Sequence, residues 1–295
     1  MSAIPQGTTT EEAIRVILDH VGEIAAMPQV VYRIVELTSR TSTSARELEN
    51  AISIDPGFTG KVLILANSAY YALPRKVTSI REAATFMGFK TIRQLAMTIG
   101  VFDMFVGKTD SGSIRRRTWW RHSVDAAVCA KVIAEYVPSV EPEEAYACGL
   151  LHDVGKPLMD RHSREKYDEV ERLIQMGVPV LRAEQHYYGV PHDLLGGAAA
   201  RMWNLPPVIV EAIESHHSRI DGEFAKQAAV TCIASEMAHR AMDGKKQQDS
   251  TGEESPTSWQ WPAWAIEELG FDDERLESAY RRCQAEIAER SRMGF

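Results

Sequence analysis

The pair His152-Asp153 is the part of this sequence best suited to chemistry. An imidazole and a carboxylate side by side can ligate one metal ion, and the carboxylate can also bridge two. A small, apolar run at residues 147–151 precedes the pair, and Gly155 follows it as a helix-ending residue. A polar pair at the buried end of a helix needs a partner, so metal-dependent phosphohydrolysis is the first chemistry to consider.

Four more histidines extend the pair into an ordered series. The six candidate metal ligands are His122, His152, Asp153, His192, His216 and His217. Neutral imidazole and carboxylate suit divalent ions such as Mn, Fe or Zn, and two ions bridged by an aspartate can activate one water. Lys156 is a candidate contact for a phosphoryl oxygen, or else a solvated lysine.

Each candidate also has an ordinary structural interpretation. A lone histidine in a helical protein is commonly a hydrogen-bonded core or surface residue. Four others are assigned to that class: His20, His162, His186 and His239. His216 and His217 follow an amphipathic stretch that opens with Pro206-Pro207, so they also fit a helix C-terminus, where the helix dipole favours positive charge.

The elements that must position these residues are predicted to be helices. Apolar residues recur at helical spacing, as in Ile14, Ile17, Leu18 and Val21, whereas strand-like alternation is nearly absent. Helix starts are also encoded: Ser44 with Glu47 predicts a capping box, and Asp55-Pro56 predicts another start. The predicted fold class is therefore all-α.

Length and loop composition predict two helical lobes. A chain of 295 residues suits two modest subdomains. Small and polar residues place a loop at 108–117, and a nearly apolar-free stretch predicts a mobile loop at 241–258. The remaining segments are an N-terminal helix or extension (1–23), a first lobe (24–107), a second lobe (118–240) and a C-terminal helical segment (259–295).

Composition narrows the classes of protein that fit. The net charge of −8 argues against broad nucleic-acid binding. An acidic amino terminus and the lack of any apolar run near the ~20 residues that span a bilayer predict a cytoplasmic location without membrane insertion. The four cysteines lack CxxC spacing and are expected to be buried, reduced thiols: Cys129, Cys148, Cys232 and Cys283.

A wider set of motifs carries a family resemblance over residues 24–240. In the first lobe they are Met27 through Val30, Asp55-Pro56, Ala66 through Tyr70, and Ile80 through Gly88. In the second they are His122, Gly149 through Gly155, Glu184 with Gly189, His192 through Gly197, Trp203 through Pro206, and His216-His217. With these motifs the chain resembles the HDOD proteins, which are related to the HD and HD-GYP metal-dependent phosphohydrolases. The resemblance implies an all-α, two-lobed fold with an HD-like second lobe, and a bacterial signalling role with a protein partner.

Departures from the active relatives shape the functional expectation. The resemblance implies a glutamate one helical turn before His122 and an aspartate after the double histidine, but Thr118 and Ser235 occupy those positions. The GYP signature is absent as well. We expect a non-catalytic regulatory protein whose pocket holds at most one divalent ion or a small ligand. The alternative is a metal-dependent phosphohydrolase that acts on a nucleotide or cyclic dinucleotide.

Two further motifs each have two interpretations. The run Arg115-Arg116-Arg117 with Trp119-Trp120 could bind an anion or nucleic acid, or could form a partly buried helix start. Asn67-Ser68 could face a partner, or could satisfy free backbone groups at a helix end. The structural interpretation is favoured for both.

Overall fold

The structure, a computed structural model, describes residues 9–22, 30, 33, 37, 44–68, 71, 73–106, 112–249 and 260–292. Its helices in chain order are α1 (Thr10–Val21), α2 (Ala45–Ser53), α3 (Pro56–Ala66), α4 (Ile80–Phe105), α5 (Ser113–Ala134), α6 (Pro142–Leu151), α7 (Gly155–His162), α8 (Arg164–Gln175), α9 (Val180–Tyr188), α10 (His192–Met202), α11 (Pro207–Ser215), α12 (Ala225–Asp249), α13 (Ala263–Leu269) and α14 (Asp273–Arg292). No strand occurs among the described residues. The all-α prediction is confirmed.

The predicted helix starts are formed by side-chain caps. Ser44 accepts a hydrogen bond from the backbone N–H of Glu47, whose carboxylate accepts one from the Ser44 N–H, so the capping box is complete. Asp55 accepts a bond from Phe58 N at 3.0 Å, with Pro56 in the first turn of α3. These local interactions satisfy N–H groups that the first turn of a helix leaves free.

The chain divides into two compact units, Met27–Asp103 with Arg281–Phe295, and Met1–Ala26 with Met104–Tyr280. The predicted lobe boundary at 107 lies close to this division. In contrast, the N-terminal segment 1–23 belongs to the larger unit, because the buried face of α1 packs on α7 and α10. Helix α14 contributes residues to both units. An amphipathic pattern predicts that a helix buries one face, but not which helix it packs against.

In the smaller unit, Asn67 satisfies backbone groups, as predicted. Its side-chain N–H₂ donates to the carbonyls of Leu63 and Val77, at 2.9 and 2.8 Å, and its oxygen accepts from Val77 N at 2.7 Å. The end of α3 is thereby tied to the segment that leads into α4. Helix α4 is interrupted at Gly88, whose φ of 80° is readily adopted only by glycine. Residues 27–29 and 69–70 of the first-lobe motifs lie outside the described residues.

In the larger unit, α5, α6 and α12 pack closely because small residues line their contacts. Ala126 and Ala127 on α5 are fully buried, and a Cβ on Gly149 of α6 would lie 2.8 Å from the Ala126 carbonyl oxygen. Helix α11 packs on α6, and α10 packs on α7 and α11. The C-terminal ends of α6 and α11 and the first residue of α10 are thus brought toward the middle of α5.

Two helices extend into segments that were expected to be loops. Helix α5 begins at Ser113, inside the expected loop 108–117, and α12 continues to Asp249, inside the expected loop 241–258. The second extension contains two lysines and two glutamines at residues 245–248, which are good helix formers. Residues 107–111 and 250–258 lie outside the described residues.

The four cysteines are buried and free, as predicted. Burial raises the pKa of the Cys232 thiol to about 12, which keeps it protonated and unreactive at neutral pH. Among the described helices, none combines the length and the apolarity needed to cross a bilayer.

The contact between α1 and α7 predicts a pH dependence of stability. The rings of His20 and His162 meet edge to face at 4.9 Å, and burial, with His20 and Lys166, lowers the pKa of His162 to about 4. An unfolded histidine titrates near 6.5. Because the unfolded chain then binds the proton more readily, His162 should lower the free energy of unfolding as pH falls from about 6.5 to 4.

Urea unfolding of His162→Gln between about pH 7 and 4.5 tests this dependence. The variant should lose less stability than the parent protein over that range. His186→Gln, which changes an exposed histidine on α9, serves as the control and should follow the parent. Identical pH profiles for His162→Gln and the parent would contradict the assignment.

Candidate metal centre

The six predicted ligands converge in the larger unit. His122 lies in the middle of α5, and His152 ends α6 with Asp153 directly after it. His192 is the first residue of α10, while His216 ends α11 and is followed by His217. Four helices therefore deliver the ligands from their ends or their buried faces, which explains why motifs so far apart in sequence share one site.

The ligands form two groups, each compact enough to hold an ion. The inner group is His122, His152 and Asp153, all buried. The two histidine Nε2 atoms are 3.2 Å apart, and Asp153 Oδ2 lies 3.5 Å from His152 Nε2 and 3.8 Å from His122 Nε2. No polar atom of this group reaches solvent readily.

The outer group is His192, His216 and His217, of which only His217 is exposed. His192 Nε2 lies 3.1 Å from His217 Nε2 and 3.4 Å from His216 Nε2. Asp153 Oδ1 adds a fourth donor, at 3.2 Å from His192 Nε2 and 3.8 Å from His216 Nε2. Asp153 therefore turns one oxygen toward each group, which is the arrangement of a bridging carboxylate.

The outer group fits a tetrahedral ion. Ligand atoms ~2.0–2.1 Å from a tetrahedral Zn²⁺ lie about 3.3–3.4 Å from one another. The three separations measured from His192 Nε2, of 3.1, 3.2 and 3.4 Å, are close to this value. The residues present thus fit a divalent metal ion with three imidazoles and one carboxylate, with His217 on the solvent side.

Three histidines are oriented through their second ring nitrogen. The Nδ1 atoms of His152 and His216 donate to the carbonyls of Gly149 and Ile213, each at 2.7 Å. Both acceptors are carbonyls in the last turn of the helix that the histidine ends, so the helix termini themselves fix the rings. Each Nε2 is left to face the centre, as in metal-ligating histidines.

Glu184 orients the third histidine, His192. Its Oε2 accepts from His192 Nδ1 at 2.7 Å and from the His192 backbone N at 2.9 Å, and its Oε1 accepts from the Tyr167 hydroxyl at 3.3 Å. Glu184 is fully buried on α9. The sequence singled it out only as part of a family motif; a carboxylate in the helix preceding a ligand histidine is the signal that could have indicated this role.

The buried histidines are held largely as neutral ligands. Burial lowers the pKa of His122, His152 and His216, and for His122 and His216 neighbouring histidines lower it further. His192 differs, because Glu184 and Asp153 outweigh its burial and raise its pKa to about 9. A metal ion bound at the outer group must therefore displace a proton from His192.

Asp153 stays ionised. Burial alone would raise its pKa, but Lys156 and the histidines lower it well below the usual range. Lys156 Nζ donates to Asp153 Oδ2 at 2.7 Å. The ammonium thus lies against the same oxygen that faces the inner group, where it competes with any cation, and it was predicted from sequence only as a phosphate contact or a solvated side chain.

The two positions that depart from the active relatives carry no carboxylate at the site. Ser235 Oγ lies 3.2 Å from His122 Nε2, so α12 reaches the inner group with a hydroxyl. Thr118 is exposed on α5, and its hydroxyl donates to the Ile114 carbonyl at 3.2 Å. Asp153 is the single carboxylate shared by both ligand groups.

Residues outside the predicted ligand set clarify two earlier alternatives. His239, assigned to the ordinary class, stacks on the His122 ring at 3.9 Å between centroids. In the arginine run, Arg116 is buried and donates to Asp160 at 2.7 Å, and Arg115 pairs with Asp160 at 3.1 Å. These two arginines therefore stabilise the start of α5, as the structural interpretation of that motif holds.

Glu184→Gln should weaken metal binding by about 10–100-fold, the usual cost of losing the partner that orients a metal-ligating histidine. The amide accepts a weaker hydrogen bond from His192 Nδ1 and lets the ring turn. Isothermal titration of the metal-free protein with Zn²⁺ and Mn²⁺ measures the change. Glu165→Gln, at an exposed position on α8, is the matched control. An unchanged dissociation constant in Glu184→Gln would show that Glu184 does not position His192.

Comparisons with known proteins show which proteins this chain is similar to. The HDOD domain model matches residues 24–219. An uncharacterized protein of Treponema pallidum is 23% identical over 243 residues, which is 81% of this chain and 46% of that protein. Ribonuclease Y of Clostridium kluyveri is 27% identical over 128 residues, covering 43% of this chain and 19% of the enzyme. The chain thus spans less than half the length of these curated relatives.

Solved structures share the fold over nearly the whole chain. An HDOD domain protein of unknown function from Geobacter sulfurreducens has a TM-score of 0.71 and 25% identity, covering 95% of this chain and 98% of its own. A candidate signal transduction protein from Marinobacter aquaeolei has a TM-score of 0.70 at 18% identity, covering 96% of this chain and 65% of its own. At that lower identity the likeness shows the fold alone. With the family model, the helical fold and the convergent His/Asp centre, the predicted resemblance is confirmed: this chain belongs to the HDOD domain family.

Proposed function

We propose that this protein is a regulatory HDOD protein whose HD-type pocket holds one divalent metal ion in the outer ligand group, without catalysing hydrolysis. The observation that carries the proposal is the charge of the site. Asp153 is the one carboxylate among the six ligands, and Lys156 already neutralises the oxygen that faces the inner group. Two divalent cations would place four positive charges on a buried ligand set that has one carboxylate, and the nearby carboxylate of Glu184 is engaged with His192, so this arrangement is strongly unfavourable.

The outer group is the better of the two places for that ion. Its donors are three imidazoles and Asp153 Oδ1, which has no ammonium against it. His217 also gives the ion a route from solvent. The inner group offers two imidazoles, Asp153 Oδ2 and the Ser235 hydroxyl, a weaker donor set that Lys156 also opposes.

Metal analysis combined with an activity screen tests the proposal. Protein reconstituted separately with Mn²⁺, Fe²⁺ and Zn²⁺ should hold one ion per chain and show no turnover of nucleotides or cyclic dinucleotides. His217→Ala should lower the ion content, whereas Ser235→Ala should leave it unchanged. Two ions per chain, with turnover that is abolished in the His152→Ala, Asp153→Ala double variant, would overturn it.

A metal-dependent phosphohydrolase is the second candidate, because the outer group is open to solvent at His217. When bound, a divalent ion supplies Lewis-acid activation of water. Lys156 would then have to leave Asp153 to contact a phosphoryl oxygen. Phosphate release that depends on both added metal and Lys156 would favour this candidate over the regulatory one.

The regulatory role also predicts a protein partner in the cytoplasm, reached by noncovalent contact. A pull-down with the full chain, compared between metal-loaded and metal-free protein, tests whether the centre controls that contact. Equal recovery of a specific partner by the metal-loaded and the metal-free protein would show that partner binding does not depend on the metal site.

A further inference from the structure

A cleft lies in the larger unit, at the end of α6 that is remote from His152. It has a volume of about 610 Å³ and is formed where α6, α11 and α12 begin, with α13 at its edge. Small-molecule sites commonly have volumes of about 300–1,000 Å³. Its lining residues are Ser139, Val140, Glu141, Glu144, Pro207, Val208, Gly222, Glu223, Phe224, Lys226, Gln227 and Glu268. None of them belongs to the metal-ligand groups.

The lining of the cleft combines acidic and apolar residues. It contains four glutamates and one lysine. Glu141 is engaged in capping α6, where it accepts from the Glu143 backbone N at 2.5 Å. Within the described residues Glu223 and Glu268 form no ion pair, so their charges are available to a cationic ligand. Val140 is buried, and Phe224 is half-buried beside it in the lining.

Gln227 provides an independent indication of a ligand. It lines the cleft, yet it is only 4% exposed, and its side-chain Nε2 is buried without a hydrogen-bond partner. Buried amides in folded proteins are nearly always paired, because an unmet donor costs free energy. A rotation of the Gln227 side chain into the cleft would bring this donor to a carbonyl or carboxylate oxygen held there. Lys226, in the same turn of α12, offers a second donor to such a group.

We propose that this cleft binds a small organic cation that also carries an oxygen acceptor, with the size and charge pattern of a basic amino acid. Its cationic end would lie among Glu144, Glu223 and Glu268, and its carboxylate would meet Gln227 and Lys226. The aliphatic carbons between the two ends match Val140, Val208 and Phe224. An inorganic cation would leave the apolar lining residues and the Gln227 amide without partners, and the acidic lining residues disfavour nucleic acid.

Three related probes distinguish the contribution of the cationic end of the ligand from that of its carboxylate end. L-Arginine carries both the guanidinium and the carboxylate, L-citrulline replaces the guanidinium with a neutral urea group, and agmatine lacks the carboxylate. Isothermal titration of the full chain should give L-arginine a Kd of about 1 mM or tighter. Citrulline and agmatine should each bind at least about tenfold more weakly, because each loses a charge-assisted interaction.

Two variants assign these losses to residues. Glu223→Gln with Glu268→Gln should weaken arginine binding by about tenfold or more and leave citrulline unchanged. Gln227→Leu should bring arginine toward the affinity of agmatine, while its thermal unfolding temperature holds or rises because an unpaired buried amide is removed. Glu165→Gln, at an exposed position outside the cleft, is the control and should bind arginine like the parent.

The proposal fails if arginine shows no saturable binding at about 10 mM to folded protein, a concentration at which it would exceed the expected Kd tenfold. It fails equally if arginine, citrulline and agmatine bind alike, or if both cleft variants bind arginine as the parent does. Metal content is measured on the same samples. Because no cleft residue is a metal ligand, a failed cleft proposal leaves the metal stoichiometry test unaffected, and the reverse also holds.

Discussion

Gly155→Ala should lower the free energy of unfolding by at least about 3 kcal/mol, at the upper end of the cost of overpacking. A Cβ at position 155 would lie 2.0 Å from the carbonyl oxygen of His192 and 2.7 Å from its carbonyl carbon. Both are backbone atoms, so no side-chain rotation can relieve the clash. Only a separation of α7 from α10 can do so, and that separation moves His192 away from Asp153, which lies two residues before Gly155.

Urea unfolding and metal titration of the same preparation test both consequences. The variant should also bind Zn²⁺ at least about tenfold more weakly, as expected for a displaced ligand. Gly60→Ala is the matched control, since Gly60 lies in α3 with nothing within 4 Å of its added Cβ. That change should be neutral or stabilising by up to about 1 kcal/mol. A Gly155→Ala protein as stable as the parent would contradict the close approach of the α10 backbone to Gly155.

Asp153→Ala should destabilise the metal-free protein by about 3–5 kcal/mol, the usual cost of breaking a buried ion pair from one side. Asp153 is buried, and the side chain of its partner Lys156 is only 12% exposed. Removing the carboxylate leaves an ammonium among imidazoles with no anion to balance it. Metal binding should be lost as well, because Asp153 supplies the only carboxylate of both groups.

A second substitution distinguishes the charge effect from lost packing. Adding Lys156→Met to Asp153→Ala removes the stranded ammonium and should restore most of the stability, while metal binding stays absent. Chemical denaturation of the parent, both single variants and the double variant gives the coupling between the two residues as a thermodynamic cycle. Additive effects, with no recovery in the double variant, would show that the pair contributes through packing alone.

The sequence was sufficient to predict the helical class and several helix starts, and the six candidate ligands that it singled out lie close together in the structure. Capping residues such as Ser44 and Asp55 act over three or four residues, so their effect can be predicted locally. The six candidates were singled out because His152-Asp153 is one of an ordered series of motifs. The orientations of the His152 and His216 rings could not be predicted. They depend on hydrogen bonds to the backbone carbonyls of Gly149 and Ile213, and residue types alone do not give the positions of these carbonyls.

Long-range packing accounts for the features that the sequence did not reveal. The role of Gly155 depends on the approach of α10, which lies more than thirty residues further along the chain. Whether Lys156 pairs with Asp153 depends on the distance between its ammonium and Asp153 Oδ2. Glu184 orients the His192 ring across the turn between α9 and α10. In each case the residue type is compatible with several roles, and the position of a neighbouring helix determines which role the residue has.

Helices α6 and α11 each connect the acidic cleft to the metal centre. Each begins in the lining of the cleft and ends at a ligand histidine, His152 or His216. At a rise of 1.5 Å per residue, they span about 15 Å. A ligand that binds the cleft more tightly when the metal is present must raise the metal affinity by the same factor, because thermodynamic linkage is reciprocal. Titrating arginine with and without metal therefore measures, in one number, whether the two ends of these helices communicate.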